Sequence, residues 1–378
     1  MGPNPFLGVF YHWLGGLSSA TCYLPFRRIK QWAWETYWLL QGIFSWIIAP
    51  IAIGMAFVPD VLGILHRSPS RSIAYAYIWG FLWGFGGLTF GLAVRFLGIA
   101  LGYAIALGLC TAFGTLMPPL FAGEIGTIAH EQSGQVILFG IAVCMAGIAI
   151  SGLAGMSKEK ELSEEQKKKS VKEFNFLKGL MVAIFAGVMS ACFAYGLQAG
   201  KPIAGLAKDY LLQTGRADLW QNLPVLVVVL LGGFTSNFIW CFVLLWKNKT
   251  SPQFLGLPPG KPPKEEDADA SKAPMGARLE PRTLLLNYLL SASTGLMWYL
   301  QFFFYSMGQT KMGKYDFSSW TLHMASIIIF STIWGVLVKE WKGTSLRTRV
   351  LVGVGLATLV LSTVIVGYGN FLKAQAGG

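Results

Sequence analysis

Five ionisable side chains fall within long apolar stretches: His12, Glu35, Arg95, Asp316 and His323. Such groups are costly in lipid, and those that occur usually serve function. Asp316, Ser319, Trp320 and His323 recur at i, i+3, i+4 and i+7, which predicts one shared helix face. His12, Gly15, Gly16 and Ser19 repeat that spacing near the start of the chain. Both histidines are expected about seven residues, roughly 10 Å, in from one membrane surface. Two titratable groups at one depth fit a proton-linked role or hydrogen bonding to a sugar; interfacial packing is the plainer alternative. A second stripe joins Trp298, Gln301 and Tyr305 at i, i+3 and i+7. Gln301 is an amide deep in an apolar run and must find a partner. Aromatic rings that cover a C–H face, next to amides that hold hydroxyls, suit a sugar. Asn237 and Trp83 are candidates to join them, against a plain reading of aromatic packing. Glu35 stands beside Trp32, Trp34 and Trp38, where a helix-start acid in an aromatic belt is the simple reading. Arg95 and Lys201 sit at span ends, where long cations snorkel.

The elements that position these groups must lie in a membrane. Of 378 residues 54% are hydrophobic and 13% charged, against about 25% charged in a soluble domain. This balance excludes a secreted disulfide domain, a disordered chain and a soluble nucleic-acid binder. All five cysteines fall in apolar segments without C-x-x-C pairs, so they read as buried thiols. Four scattered histidines make no metal site, and no H-E-x-x-H, G-x-S-x-G or P-loop motif is present, so neither an enzyme nor a cofactor is expected.

Ten spans are predicted, at 6–25, 36–58, 73–95, 99–121, 134–154, 175–198, 222–246, 283–308, 316–338 and 347–371. The break between the third and fourth falls at Phe96–Gly98. No Lys or Arg precedes the first span, so it reads as a retained helix and not a signal peptide. Alternating the connections puts 22 of the 30 Lys and Arg on one side, the cytoplasm by the positive-inside rule, with both termini outside. Two cytoplasmic connections are long. Loop 155–178 mixes Lys and Glu. Loop 247–282 holds seven of the 17 prolines and reads as a flexible tether.

The halves resemble each other. Gly16-x-x-Ser19-Ala20 matches Gly187-x-x-Ser190-Ala191, and Gly80-x-x-Trp83 with Gly98 matches Gly295-x-x-Trp298 with Gly313. The matches fall on spans one and six and on spans three and eight, the order that a five-plus-five duplication requires. Five is odd, so the second unit inserts inverted, as in secondary transporters with a midplane site. The expected architecture is all-α and polytopic, with ten transmembrane helices in two inverted five-helix repeats. The first repeat is 1–154, the linker 155–174 and the second repeat 175–378.

The string Gly295-Leu-Met-Trp298-Tyr299-Leu-Gln301-Phe-Phe-Phe-Tyr305, with Tyr315-Asp316, Ser319-Trp320-x-Leu-His323-Met324 and Lys339-Glu340-Trp341, resembles the L-rhamnose–proton symporter family. His12, Pro25-Phe26, Trp34-Glu35-Thr36, Ser45-Trp46-Ile47-Ile48, Arg95-x-Leu97-Gly98, Gly114-Thr115-Leu116-Met117 and Lys201-Pro202 continue the resemblance over nearly the whole chain. It implies the drug/metabolite transporter fold and import of L-rhamnose with a proton across a bacterial inner membrane. The longer Pro-rich loop and the segment 309–314 depart from the family pattern and leave the exact 6-deoxy sugar open. With protons as the drive, Asp316 is the expected carrier, His323 orients it or the sugar, and Glu35 is the alternative. The substrate-binding set is then Trp298, Gln301, Tyr305, Trp83, Asn237, Trp320, His12 and His323. Transport of another small metabolite on the same fold is the runner-up, and a polytopic membrane enzyme a distant third.

Overall fold

Proline and glycine punctuate long apolar helices. Proline enters the first turn of several, where its missing N–H costs nothing. Asparagine caps two of them: Asn4 accepts from the Leu7 N–H and Asn175 from the Lys178 N–H. The computed structural model describes residues 2–161, 175–260 and 278–376, all but the side chains of 99 and 100. In chain order the α-helices are α1 (Pro5–Thr21), α2 (Trp34–Phe57), α3 (Val61–Arg67), α4 (Ser70–Leu97), α5 (Ile99–Phe121), α6 (Ile125–His130) and α7 (Gln132–Lys160). They continue with α8 (Phe176–Ala199), α9 (Lys201–Gln213), α10 (Leu223–Asn248), α11 (Pro281–Lys311), α12 (Ser319–Leu337) and α13 (Leu346–Ala376). No strand occurs among the described residues.

Eight segments are long and apolar enough to cross a membrane. Helices also occupy the first and eighth predicted spans, but α1 has only 17 residues and α11 is less apolar. Three short helices, α3, α6 and α9, lie where loops were expected. In α9, Ile203, Ala204, Ala207 and Leu211 form a buried face, so it lies along the bundle. The linker residues 162–174 and residues 261–277 of the Pro-rich loop lie outside the described residues. The start of that loop is no tether: Ser251–Leu255 forms a 3-10 turn with Gln253 buried. The Gln253 amide accepts from the Ala33 N–H and the Thr36 hydroxyl and donates to the Gln31 carbonyl.

Helix α2 widens into one π-helical turn at Phe44–Ile48. Pro50 accounts for it: the ring lacks an N–H and collides with the carbonyl four residues back, at Trp46, so the turn expands. Between α4 and α5 the chain breaks at Gly98, whose φ of 85° favours glycine. Gly313, after α11, repeats this with φ 75°.

Helices far apart in sequence make the core. Helix α1 packs on α11 and α12, while α8 packs on α4 and α5; α7 pairs with α13, and α10 with α4 and α2. Small residues bring backbones together. A Cβ on Gly80 would collide with the Val229 carbonyl of α10. One on Gly295 would stand 2.5 Å from the Gln41 carbonyl of α2.

Candidate functional site

Helices α1, α11 and α12 converge on Tyr305. Its ring meets His12 edge-on with centroids 5.2 Å apart, and meets His323 at the same distance. Glycines permit this approach. A Cβ on Gly308 would lie 2.8 Å from the His12 ring, and one on Gly15 would lie 3.4 Å from the His323 ring. Both imidazoles are fully buried, and none of their four nitrogens makes a hydrogen bond among the described residues. Trp320 closes the group, 5.8 Å from Tyr305, and donates its indole N–H to the Cys110 carbonyl at 3.0 Å. Gly114 leaves the room that this indole occupies.

An aromatic face continues from this group toward the molecular centre. Phe193 stacks on Phe302 at 4.2 Å and on Trp320 at 5.7 Å. Phe302 meets Trp298 edge-on at 5.0 Å. Trp298 and Trp83 lie 5.6 Å apart, and Trp46 stands edge-on to Trp298 at 5.2 Å. Trp83 and Trp298 are only half-buried. Imidazole nitrogens able to donate or accept thus adjoin a broad ring face. That arrangement can hold a neutral hydroxylated molecule, the rings covering C–H bonds and the imidazoles bonding hydroxyls.

His12, His323, Tyr305, Trp320, Trp298 and Trp83 are therefore joined by ring contacts; the other predicted residues make contacts of their own. Asn237 is committed elsewhere: its carbonyl accepts from the Trp38 indole at 3.1 Å, and its amide donates to the Gly233 carbonyl at 2.9 Å. Gln301 is buried on α11, with its backbone carbonyl against Gly15 of α1. Asp316 lies in a 3-10 turn, Gly313–Ser318, that leads into α12, and there it pairs with Lys201 at 3.3 Å. Glu35 begins α2 and accepts from Asn248 at 3.0 Å and Thr250 at 2.8 Å, tying α2 to the end of α10. Among the described residues no cluster of His, Cys, Asp and Glu suits a metal ion.

Sequence reasoning missed Phe193 and Phe302, which carry no polar signal. It also missed Gln41, a buried amide to which the argument made for Gln301 applies equally.

A profile of the L-rhamnose-proton symport protein (RhaT) family matches residues 1–253 and 271–371. The chain belongs to this family. An L-rhamnose-proton symporter of Klebsiella pneumoniae subsp. pneumoniae is 33% identical over 364 residues, covering 96% of this chain and 97% of the relative. One from Salmonella dublin is 34% identical over 365 residues, with the same coverage of both. The family is one of transporters, so this symporter-family chain is a multi-pass membrane protein and not an enzyme.

Proposed function

We propose that the chain imports L-rhamnose, or a related 6-deoxy sugar, with a proton across a bacterial inner membrane. The observation that carries this reading is the family match over nearly the whole chain. The convergence of two imidazoles on one tyrosine beside an aromatic face gives it a chemical basis. Trp298, Trp83, Trp320 and Tyr305 cover the apolar face of the sugar. His12, His323 and Gln301 serve its hydroxyls, and Asn237 fixes the helices behind them. Asp316 carries the proton: protonation removes the charge that pairs with Lys201 and frees the α8–α9 junction from the start of α12. Glu35 is the alternative carrier.

Transport proceeds by alternating access between two inverted five-helix repeats, 1–154 and 175–378, joined by linker 155–174, with ten spans and both termini outside. Several paired contacts support the repeat. The Asn4 N–H donates to the Lys311 carbonyl at 3.0 Å, and the Asn175 N–H donates to the Phe96 carbonyl at 3.3 Å. A Cβ on Gly8 would meet Met312, and one on Gly179 would meet Leu97, each at 2.6 Å. Asn4 and Gly8 stand 171 residues before Asn175 and Gly179; Phe96 and Leu97 stand 215 before Lys311 and Met312. The same two separations relate Gly16 to Gly187, Gly80 to Gly295, Trp83 to Trp298, and the two left-handed glycines, Gly98 and Gly313. A pseudo-twofold axis then passes near the Trp83–Trp298 contact.

The test is uptake of labelled L-rhamnose into proteoliposomes. Accumulation should rise under an inwardly directed proton gradient and ignore a sodium gradient. Uptake indifferent to both, or none at all, would overturn the reading.

A further inference from the structure

Six buried polar atoms without a hydrogen bond among the described residues flank one helix crossing. They are Nε2 and Oε1 of Gln41, Oγ of Ser45 and Nε1 of Trp46 on α2, with Oγ1 of Thr294 and Oη of Tyr299 on α11. Gln41, Ser45 and Tyr299 are 0% exposed, so water at the protein surface does not serve them. The two helices meet at Gly295, between Thr294 and Tyr299, where a Cβ would lie 2.5 Å from the Gln41 carbonyl and 3.2 Å from the Ser45 nitrogen. Buried polar groups are normally paired, and a membrane interior offers no bulk water to pair them. A group of them at one crossing is not explained by packing.

Two further observations point to a ligand. Ser45 and Trp46 lie on the π-helical turn of α2, and single π-turns within α-helices recur at functional sites. Trp46 extends from that turn to the aromatic face, edge-on to Trp298. Neutral groups select the class of ligand. An amide supplies two donors and an acceptor, each hydroxyl does both, and the indole only donates. This mixture of donors and acceptors matches adjacent hydroxyls on a neutral ring, and its amide and indole N–H groups do not suit a cation.

We infer that Gln41, Ser45, Trp46 and Tyr299 form the wall that recognises the hydroxyls of the transported solute, with Gln41 bridging two adjacent hydroxyls. The Trp83–Trp298 face, which adjoins this wall at Trp46, covers a C–H-rich side, including a methyl group where the sugar is 6-deoxy. This rests on the transport reading above. It adds a recognition element on α2, separate from the histidines of α1 and α12.

The experiment is titration calorimetry of the full chain in detergent with L-rhamnose, L-mannose and L-lyxose, alongside the unfolding midpoint of the unliganded protein. Gln41→Leu is expected to weaken binding by roughly tenfold or more, since it removes a buried hydrogen-bonding partner of the sugar. Its unliganded midpoint should hold or rise, because an apolar side chain replaces an unpaired amide. A folded Gln41→Leu protein with unchanged affinity overturns the inference. Should that variant not fold, Ser45→Ala and Tyr299→Phe each delete one hydroxyl, and unchanged affinity in both is equally fatal. Wild-type binding of L-mannose or L-lyxose but not L-rhamnose removes the rhamnose reading, and the wall is then scored on the sugar that binds. Binding of none of the three overturns the wall as well.

Discussion

Tyr305 touches both histidines, which ties α1 to α12 through one ring on α11. Removing an aromatic or amide contact from this neighbourhood should weaken sugar binding without preventing insertion. Trp298→Ala and Gln301→Ala are each expected to lose about 5- to 150-fold in affinity, the range for one buried polar or comparable contact. Calorimetry showing wild-type affinity in both would remove them from the site. Asp316 makes a different prediction. Exchange of labelled for unlabelled sugar needs no net proton movement, so Asp316→Asn should exchange normally yet fail to accumulate sugar under a pH gradient. Accumulation by Asp316→Asn together with its loss in Glu35→Gln would transfer the proton to Glu35. At this scale the two histidines were legible as ionisable groups within apolar spans, and both rings meet Tyr305. The 3-10 turn that holds Asp316 was not legible, because Gly313 and the kink at Tyr315 leave no periodic mark. Asn237 has the polarity of a ligand group, yet besides Gly233 on its own helix its partners are Trp38 of α2 and Gly84 of α4, which one sequence does not show to be neighbours of α10.

Helix positions followed from apolar runs, and each predicted span contains a helix. The Gly98 break was legible because a left-handed φ favours glycine. The short helices were not legible: six to thirteen residues between spans offer too little periodicity to separate a surface helix from a loop. The π-turn depends on how α2 accommodates Pro50 and left no periodic mark. Close crossings should be intolerant of side chains. Gly80→Val and Gly295→Val push a branched group into backbone of α10 and α2, which cannot rotate away. Each should destabilise the protein by about 1–3 kcal/mol, read as a lowered unfolding midpoint in detergent. A midpoint within error of wild type would mean that the helices separate freely there. At the end of α7, Glu161 accepts from the hydroxyls of Ser345 and Thr348 and from the Ser345 N–H, and these bonds hold its carboxyl below the usual range. A depressed folded value means that the stabilisation is present above the unfolded value, about 4.3. It is lost as pH falls through the folded value. Glu161→Gln should therefore flatten the decline of the unfolding midpoint on the acid side and leave the alkaline side alone; parallel curves would refute it.

For the molecule as a whole, charge bias predicts orientation. With 22 of 30 Lys and Arg on one side, a C-terminal alkaline phosphatase fusion should be active and a fluorescent-protein fusion dark. The opposite result would mean an odd number of crossings or both termini in the cytoplasm. Composition showed that the chain is polytopic, but it could not show which helices pair, because lipid-facing and helix-facing surfaces are alike in polarity. The pairing has its own consequence for synthesis. Helix α1 is made before the other described helices, and its packing partners α11 and α12 are made some 260 or more residues later. At 5–20 residues per second, the nascent helix waits about 15–60 s before they emerge from the ribosome. It waits as a 17-residue segment, about 26 Å long, carrying a histidine that lipid does not satisfy. The earliest of these helices to be made is thus among the last to be secured.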